Sequence, residues 1–166
     1  MALDTNALRQ TMRQWATGVT IVTTVAGEKR AGMTVSSFTS VSLEPPTVLV
    51  CLNKSTYAHA LVKESGVYAI SMLGVGQEAL SNRFAGLDPA TADRFEGLNL
   101  STAQTGSPLL SDAIGWLDCV VLETFDTTTH TVFIGEVVFA QTDPNRSPLV
   151  YHNRSYHVLT PVETPS

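Results

Sequence analysis

Residues 30–46 read R-A-G-M-T-V-S-S-F-T-S-V-S-L-E-P-P. Met33, Val35, Phe38, Val41 and Leu43 keep a broken period of two, the pattern of a half-buried strand. Between them stand Thr34, Ser36, Ser37, Thr39, Ser40 and Ser42. A core strand seldom carries so many hydroxyls, because each buried one needs a hydrogen-bond partner. The stretch is expected to be one strand-like seam that turns a polar edge toward a ligand.

Working outward, Val19 to Val25 alternates apolar residues with Thr20 and Thr24, and Ala26-Gly27-Glu28-Lys29 supplies a turn, which predicts a first hairpin. On the other side Pro45-Pro46 is expected to break the ladder, and Thr47 to Leu52 has the apolar run of a central strand. Ser55 or Thr56 can cap a helix that stops at Gly66, after which Val67 to Leu73 returns to strand. Gln77 to Phe84 and Pro89 to Phe95 predict short helices. Ile114 to Thr124 and Thr131 to Thr142 predict two long strands joined through D-T-T-T-H, and Pro148 to Tyr151 with Tyr156 to Leu159 a short closing pair. At the start, Asp4 to Ala16 suits a helix ended by Gly18, with Leu8, Met12 and Trp15 on one core-packing face. Parallel strands each need a long crossover, so this order predicts a mostly β antiparallel barrel with a few peripheral helices. One domain over residues 1–166 is expected, with loose termini at about 1–8 and 161–166.

Of the 166 residues, 43% are hydrophobic and only 15% charged, which predicts surface hidden against a second copy. The net charge of -5 and the lack of any Lys or Arg cluster exclude an electrostatically driven nucleic-acid binder. No signal peptide or bilayer-length apolar run is found, and a soluble cytoplasmic protein without membrane contact is expected. Cys51 and Cys119 are expected as buried reduced thiols.

Asn53-Lys54-Ser55-Thr56 marks a strand end and a helix start, where amides, hydroxyls and a cation could meet one anion. A phosphate suits it; an ordinary N-cap followed by a solvated lysine is the alternative. With the seam, it describes a nucleotide-like cofactor whose ring edge meets Thr34, Ser36 and Ser37 while Met33 or Phe38 covers a face. Gly74 to Ala79, G-V-G-Q-E-A, fits a dinucleotide fingerprint with Asp93 at about the acidic distance, yet no parallel-sheet pattern follows, and a turn opening a helix is the preferred reading. His59, His130, His152 and His157 show no metal spacing, and no metal site is expected. No nucleophile elbow or activated thiol is present.

The motifs W-A-T-G-V-T-I-V-T-T, G-M-T-V-S-S-F-T-S-V-S-L-E-P-P, V-L-V-C-L-N-K-S, S-N-R-F-A-G, R-F-E-G, H-T-V-F-I-G-E-V and P-L-V-Y-H-N-R-S-Y follow one another along nearly the whole chain. Together they resemble the short-chain flavin reductases, the reductase components of two-component flavin-dependent monooxygenases. The resemblance implies a split-barrel homodimer with flavin sites near the subunit interface. It also implies hydride transfer from NADH or NADPH to FMN or FAD, with reduced flavin released to a partner monooxygenase. By the same resemblance Thr34, Ser36 and Ser37 hold the flavin ring, Asn53, Ser55 and Thr56 the phosphate end, and Arg83 and Phe84 close over it. His130, the candidate catalytic residue, and Tyr156 match positions around the nicotinamide. Where the family commonly has Gly-Asp-His, this chain has Thr128-Thr129-His130. Alternatives are a non-catalytic flavin-binding module and a flavoenzyme that reduces another acceptor.

Overall fold

The structure, a computed structural model, describes residues 3–88 and 93–162. Helix α1 (Thr5–Met12) is capped by the Asp4 carboxylate, which accepts from Asn6 N at 2.8 Å. Then follow β1 (Thr17–Gly18), β2 (Thr20–Ala26), β3 (Lys29–Val35), β4 (Phe38–Leu43), β5 (Pro46–Asn53), α2 (Tyr57–Ser65) and β6 (Val67–Met72). The second half holds α3 (Glu78–Phe84), β7 (Leu100–Ser101), β8 (Leu109–Leu110), β9 (Gly115–Asp126), β10 (His130–Thr142), β11 (Val150–His152) and β12 (Ser155–His157).

Seven strands form one antiparallel sheet in the order β3-β2-β6-β9-β10-β5-β4. Consecutive strands β3 and β4 thus stand at opposite edges, joined only through Ser36 and Ser37. So short a link forces the sheet to curl until its edges approach, which makes the split barrel. Ser37 already belongs to the β4 side of the link: Cys51 N donates to Ser37 O at 3.3 Å and Ser37 Oγ to Cys51 O at 2.9 Å, which carries the β4–β5 ladder one pair further. Residues 30–46 are therefore two strands and not one, because a single strand cannot lie at both edges.

Successive residues of β2 enter two cores. Val22 packs with Val35, Val50, Leu52, Tyr68, Ile70, Cys119 and Phe133, whereas Ile21 packs with Val19, Leu73, Phe84, Phe95, Leu110 and Leu149. Burial on both faces requires partners for its threonines. Thr20 donates to Val35 O at 2.7 Å, Thr24 to Val67 O at 2.7 Å, and Thr23 to Pro108 O. Gly135 on β10 lies where a Cβ would stand 2.5 Å from the Tyr68 hydroxyl, beside a register shift against β9.

The β2–β3 and β9–β10 hairpins form as expected, and Gly66, at φ 70°, stops α2 in the left-handed region. Other boundaries differ. The opening helix ends at Met12, and Gly18 lies in β1, paired with Val150. Residues 5–8 are helical and not a loose end. Leu8, Met12 and Trp15 are 48%, 56% and 69% exposed, so their apolar face packs no core among the described residues. Pro46 begins β5 opposite Leu43, and β4 and β5 form a tight hairpin over Glu44 and Pro45. Cys119 is buried and Cys51 half-buried. Of the helix expected at Pro89 to Phe95, residues 89–92 lie outside the described residues, as do 163–166 of the C-terminal tail, and Asp93 to Phe95 form a bend and turn. The G-V-G-Q-E-A segment is a turn before α3, with Gly74 N donating to Gln77 Oε1 at 2.8 Å, while Asp93 pairs with Arg30 at 2.8 Å.

Candidate functional site

Two cavities meet along β3. The larger, about 560 Å³, is lined by Gly32, Met33, Thr34, Thr56, Phe84 and Arg30 among others. The second, about 280 Å³, is lined by Thr34, Ser36, Ser81, Asn82, Tyr156 and Arg154 among others. Thr34 and Ala85 belong to both. Thr34 is fixed there because its Oγ1 donates to Ser81 O at 2.6 Å, which joins β3 to α3.

The wall of the larger cavity comes from close packing. Gly32 leaves room for Phe84: a Cβ there would lie 2.6 Å from the Phe84 ring. Phe84 meets Phe95 edge to face at 5.2 Å, and Arg94 clamps the corner by donating to Gly32 O at 3.0 Å and Phe84 O at 2.9 Å. Arg30 pairs with Asp93 and stands 4.7 Å over the Phe95 ring. Phe84 is 0% exposed, a wall packed from within the chain. Arg83 donates to Asp93 O and Glu96 O at 3.0 and 2.6 Å, and its buried Nε has no hydrogen-bond partner among the described residues. Arg30, Arg94 and Tyr57 were not singled out by the sequence; the arginines in R-A-G-M and R-F-E-G were the available signal.

The cap at 53–56 is built by its own side chains. Asn53 Oδ1 accepts from Ser55 N at 2.9 Å and Ser55 Oγ at 2.8 Å, an Asx turn that leads the chain into α2. Thr56 is the N-cap, its Oγ1 accepting from His59 N at 3.2 Å. The first amides of α2 have no acceptor in the helix and carry its positive dipole end. Lys54 departs from the expected arrangement. Its ammonium donates to Thr127 O at 2.6 Å and pairs with Asp126 at 3.3 Å, on the β9–β10 turn.

His130 opens β10 opposite Asn53, so the fold brings the two motifs side by side although 77 positions separate them in sequence. The turn before it needs no glycine, because neither Thr128 nor Thr129 takes a positive φ. Threonine hydroxyls close it: Thr127 N and Oγ1 donate to His130 O at 2.8 and 2.9 Å, and Thr129 Oγ1 bonds His130 Nδ1 at 2.8 Å. Tyr156 sits in the second cavity, its hydroxyl 2.9 Å from Ser81 Oγ and 2.8 Å from Asn82 Oδ1, and its ring beside Tyr151 at 5.3 Å. The structure therefore groups Met33, Thr34, Thr56 and Phe84 at one cavity, and Thr34, Ser36 and Tyr156 at the other. Asn53, Lys54, Ser55 and His130 form a neighbouring rim. Ser37 faces a different recess shared with Trp15 and Cys51.

Burial pushes the Cys119 thiol up to about 12, with the Asp118 charge adding to it, so this sulfur stays protonated at neutral pH. His59 is held below its ordinary value by burial and by the charges of Lys63 and Lys54, despite the opposing pull of Asp126.

This donor set fits a phosphorylated ring compound. A helix N-terminus with hydroxyls suits the phosphate, and the adjoining half-buried Met33, backed from within by Phe84, suits a ring face.

Comparison with known proteins agrees with that chemistry. The chain is 40% identical to the FMN reductase (NADH) RutF of Ancylobacter novellus over 95% of its own length and 87% of the relative's. It is 31% identical to the reductase subunit HsaB of a flavin-dependent monooxygenase from Rhodococcus jostii, over 98% of the chain and 82% of that protein. The structure of the Streptomyces globisporus NADH:FAD oxidoreductase SgcE6 in complex with NAD and FAD fragments superposes with a TM-score of 0.86 at 34% identity, covering 95% of this chain and 94% of that one. The Flavin reductase like domain matches residues 12–160, and the chain belongs to that family.

Proposed function

We propose that this protein is an NADH-dependent flavin reductase that passes reduced FMN or FAD to a partner monooxygenase. The observation that carries the reading is the pair of cavities that meet at Thr34, one beside a helix cap and one beside Tyr156 and Asn82. Two compartments sharing a wall suit two ligands whose rings must come into contact. When bound, the flavin supplies the redox chemistry by accepting a hydride from the reduced nicotinamide. The chain itself binds and orients. The 53–56 cap meets the phosphate end, Thr34 and Ser36 border the ring, and Phe84 keeps one side dry. No acid–base dyad is required, because the transfer depends on proximity.

Purified protein with FMN or FAD should accelerate NADH oxidation, followed at the nicotinamide absorbance band. Tight flavin binding without NADH oxidation would instead select a non-catalytic flavin module. NADPH run beside NADH decides between the two donors.

His130 and Tyr156 serve the nicotinamide in this reading. His130→Ala should lower kcat/KM for NADH about tenfold, the loss of one contact in the productive complex, with flavin affinity unchanged. Unaltered NADH kinetics would return His130 to a purely structural role at the strand end.

The functional unit in this reading is a homodimer. The bare apolar face of Leu8, Met12 and Trp15, together with exposed Val41 and Leu43 on β4, is surface that a second copy would cover. Sedimentation at twice the chain mass is the expected result, and a monomer at micromolar concentration would refute it.

A further inference from the structure

Lys54 follows Asn53 in the cap, yet every contact of its head group lies on the opposite hairpin. Its ammonium reaches Asp126 at 3.3 Å and Thr127 O at 2.6 Å, and its backbone N–H donates to Thr129 O at 2.9 Å. Asp126 in turn accepts from Thr131 Oγ1 at 2.5 Å. Thr131 is buried, and its Oγ1 stands 2.8 Å from Nε2 of His59, which is also buried. The Thr131 hydroxyl has one proton and gives it to a carboxylate that can only accept, so it must receive from His59 Nε2–H. That fixes the tautomer of a neutral His59 and gives the chain of bonds one direction, from His59 through Thr131 to Asp126. His59 is itself fixed by its backbone bond to Thr56 Oγ1 and by an edge contact with the Phe133 ring at 5.4 Å.

The bonds form a loop around the rim of the site. It runs from the N-cap Thr56 to His59, across to Thr131 on β10, to Asp126 at the end of β9, and back through Lys54 to the residue beside Ser55. The turn it encloses carries His130, which neighbours Thr131 in sequence and pairs with Asn53 in register. Asp126 is the member on which the hairpin hydroxyl and the cap lysine converge.

We propose that Asp126 is a positioning residue, which holds the Thr127–His130 turn in register with the Asn53–Thr56 cap through Lys54 and Thr131 and so sets the affinity for NADH. The proposal rests on the reading that His130 faces the nicotinamide. Asp126 touches neither ligand cavity and acts through its neighbours.

The test is a double-variant cycle on NADH kinetics with saturating FMN. Asp126→Asn should raise KM for NADH about fivefold, the size of an exposed but networked ion pair, while kcat and the FMN dissociation constant stay within about twofold. Lys54→Met should raise KM similarly. The double variant should be no worse than the worse single one, because both break the same link. Unfolding of part of the sample would lower kcat and leave KM alone, so the split separates positioning from stability. An unchanged KM in Asp126→Asn, or effects of the two variants that multiply, would overturn the proposal. His130→Ala distinguishes the premise: if it leaves kcat/KM for NADH unchanged, the nicotinamide reading falls and the inference with it. If His130→Ala lowers kcat/KM and Asp126→Asn does not raise KM, only the inference falls.

Discussion

Replacing Ser55 and Thr56 together by alanine should raise the FMN dissociation constant about a hundredfold, since two hydrogen bonds to a charged group contribute about 1.5–3 kcal/mol each. The geometry makes Thr56 the N-cap of α2, and Ser55 the residue that the Asn53 carboxamide turns into place. Ser55→Ala alone should cost about tenfold, because the Asx turn keeps its backbone bond from Ser55 N to Asn53 Oδ1. Thr56→Ala carries a second effect, the loss of a cap worth about 1 kcal/mol of stability. Thermal melting beside flavin fluorescence titration separates the two. The placement of the phosphate fails if the double variant melts a few degrees lower yet binds FMN as tightly as the parent chain. It also fails if NADH affinity drops while flavin affinity does not.

Phe84→Ala should destabilise the fold by about 3–5 kcal/mol, the range for emptying a buried aromatic site. That corresponds to a fall of roughly 10 °C in Tm for a chain of this size. The ring is wholly buried, meets Phe95 edge to face, and fills the space left open by Gly32. Collapse into the void is resisted because Arg94 ties the carbonyls of Gly32 and Phe84 together from the other side. The same ring backs the wall of the larger cavity from within, so loosening it should lower flavin affinity together with stability. Phe84→Leu keeps most of the apolar volume and should cost less stability and less flavin affinity, because the wall it supports moves less. A Phe84→Ala protein with an unchanged melting temperature would mean that the ring is not packed as described. Unchanged flavin binding in Phe84→Ala would mean that the wall it supports does not touch the flavin.

Much of the site was legible because its parts are local. The Asn53–Thr56 cap is written in four adjacent residues, and its helix follows the ordinary rules for a threonine start and a glycine stop. The β9–β10 hairpin showed in its two long runs of β-type residues. What misled was periodicity read without knowledge of the partner surface. Leu8, Met12 and Trp15 repeat at helical spacing, as core residues do, yet they lie exposed, because spacing says that a face is apolar and not what covers it. The seam kept one alternating pattern through two strands, since a tight connection at Ser36 and Ser37 leaves no mark on hydropathy. The S-N-R-F-A-G motif named Phe84 without showing its neighbours, and only the structure shows its packing against Phe95 and Gly32.

By itself the sequence determined the elements and their chemistry: a hydroxyl-rich seam, a capped helix start, antiparallel hairpins and a family resemblance along nearly the whole chain. These depend on neighbours within a few residues, where backbone geometry and capping decide the outcome. The tertiary structure alone decided how distant pieces meet. It set β3 and β4 at opposite edges of a sheet that closes on itself, put His130 across from Asn53, and sent the Lys54 ammonium to Asp126 and not to the cap. The physical reason is that long-range pairing follows from the burial of whole faces of the chain, a sum over many residues that no local motif records.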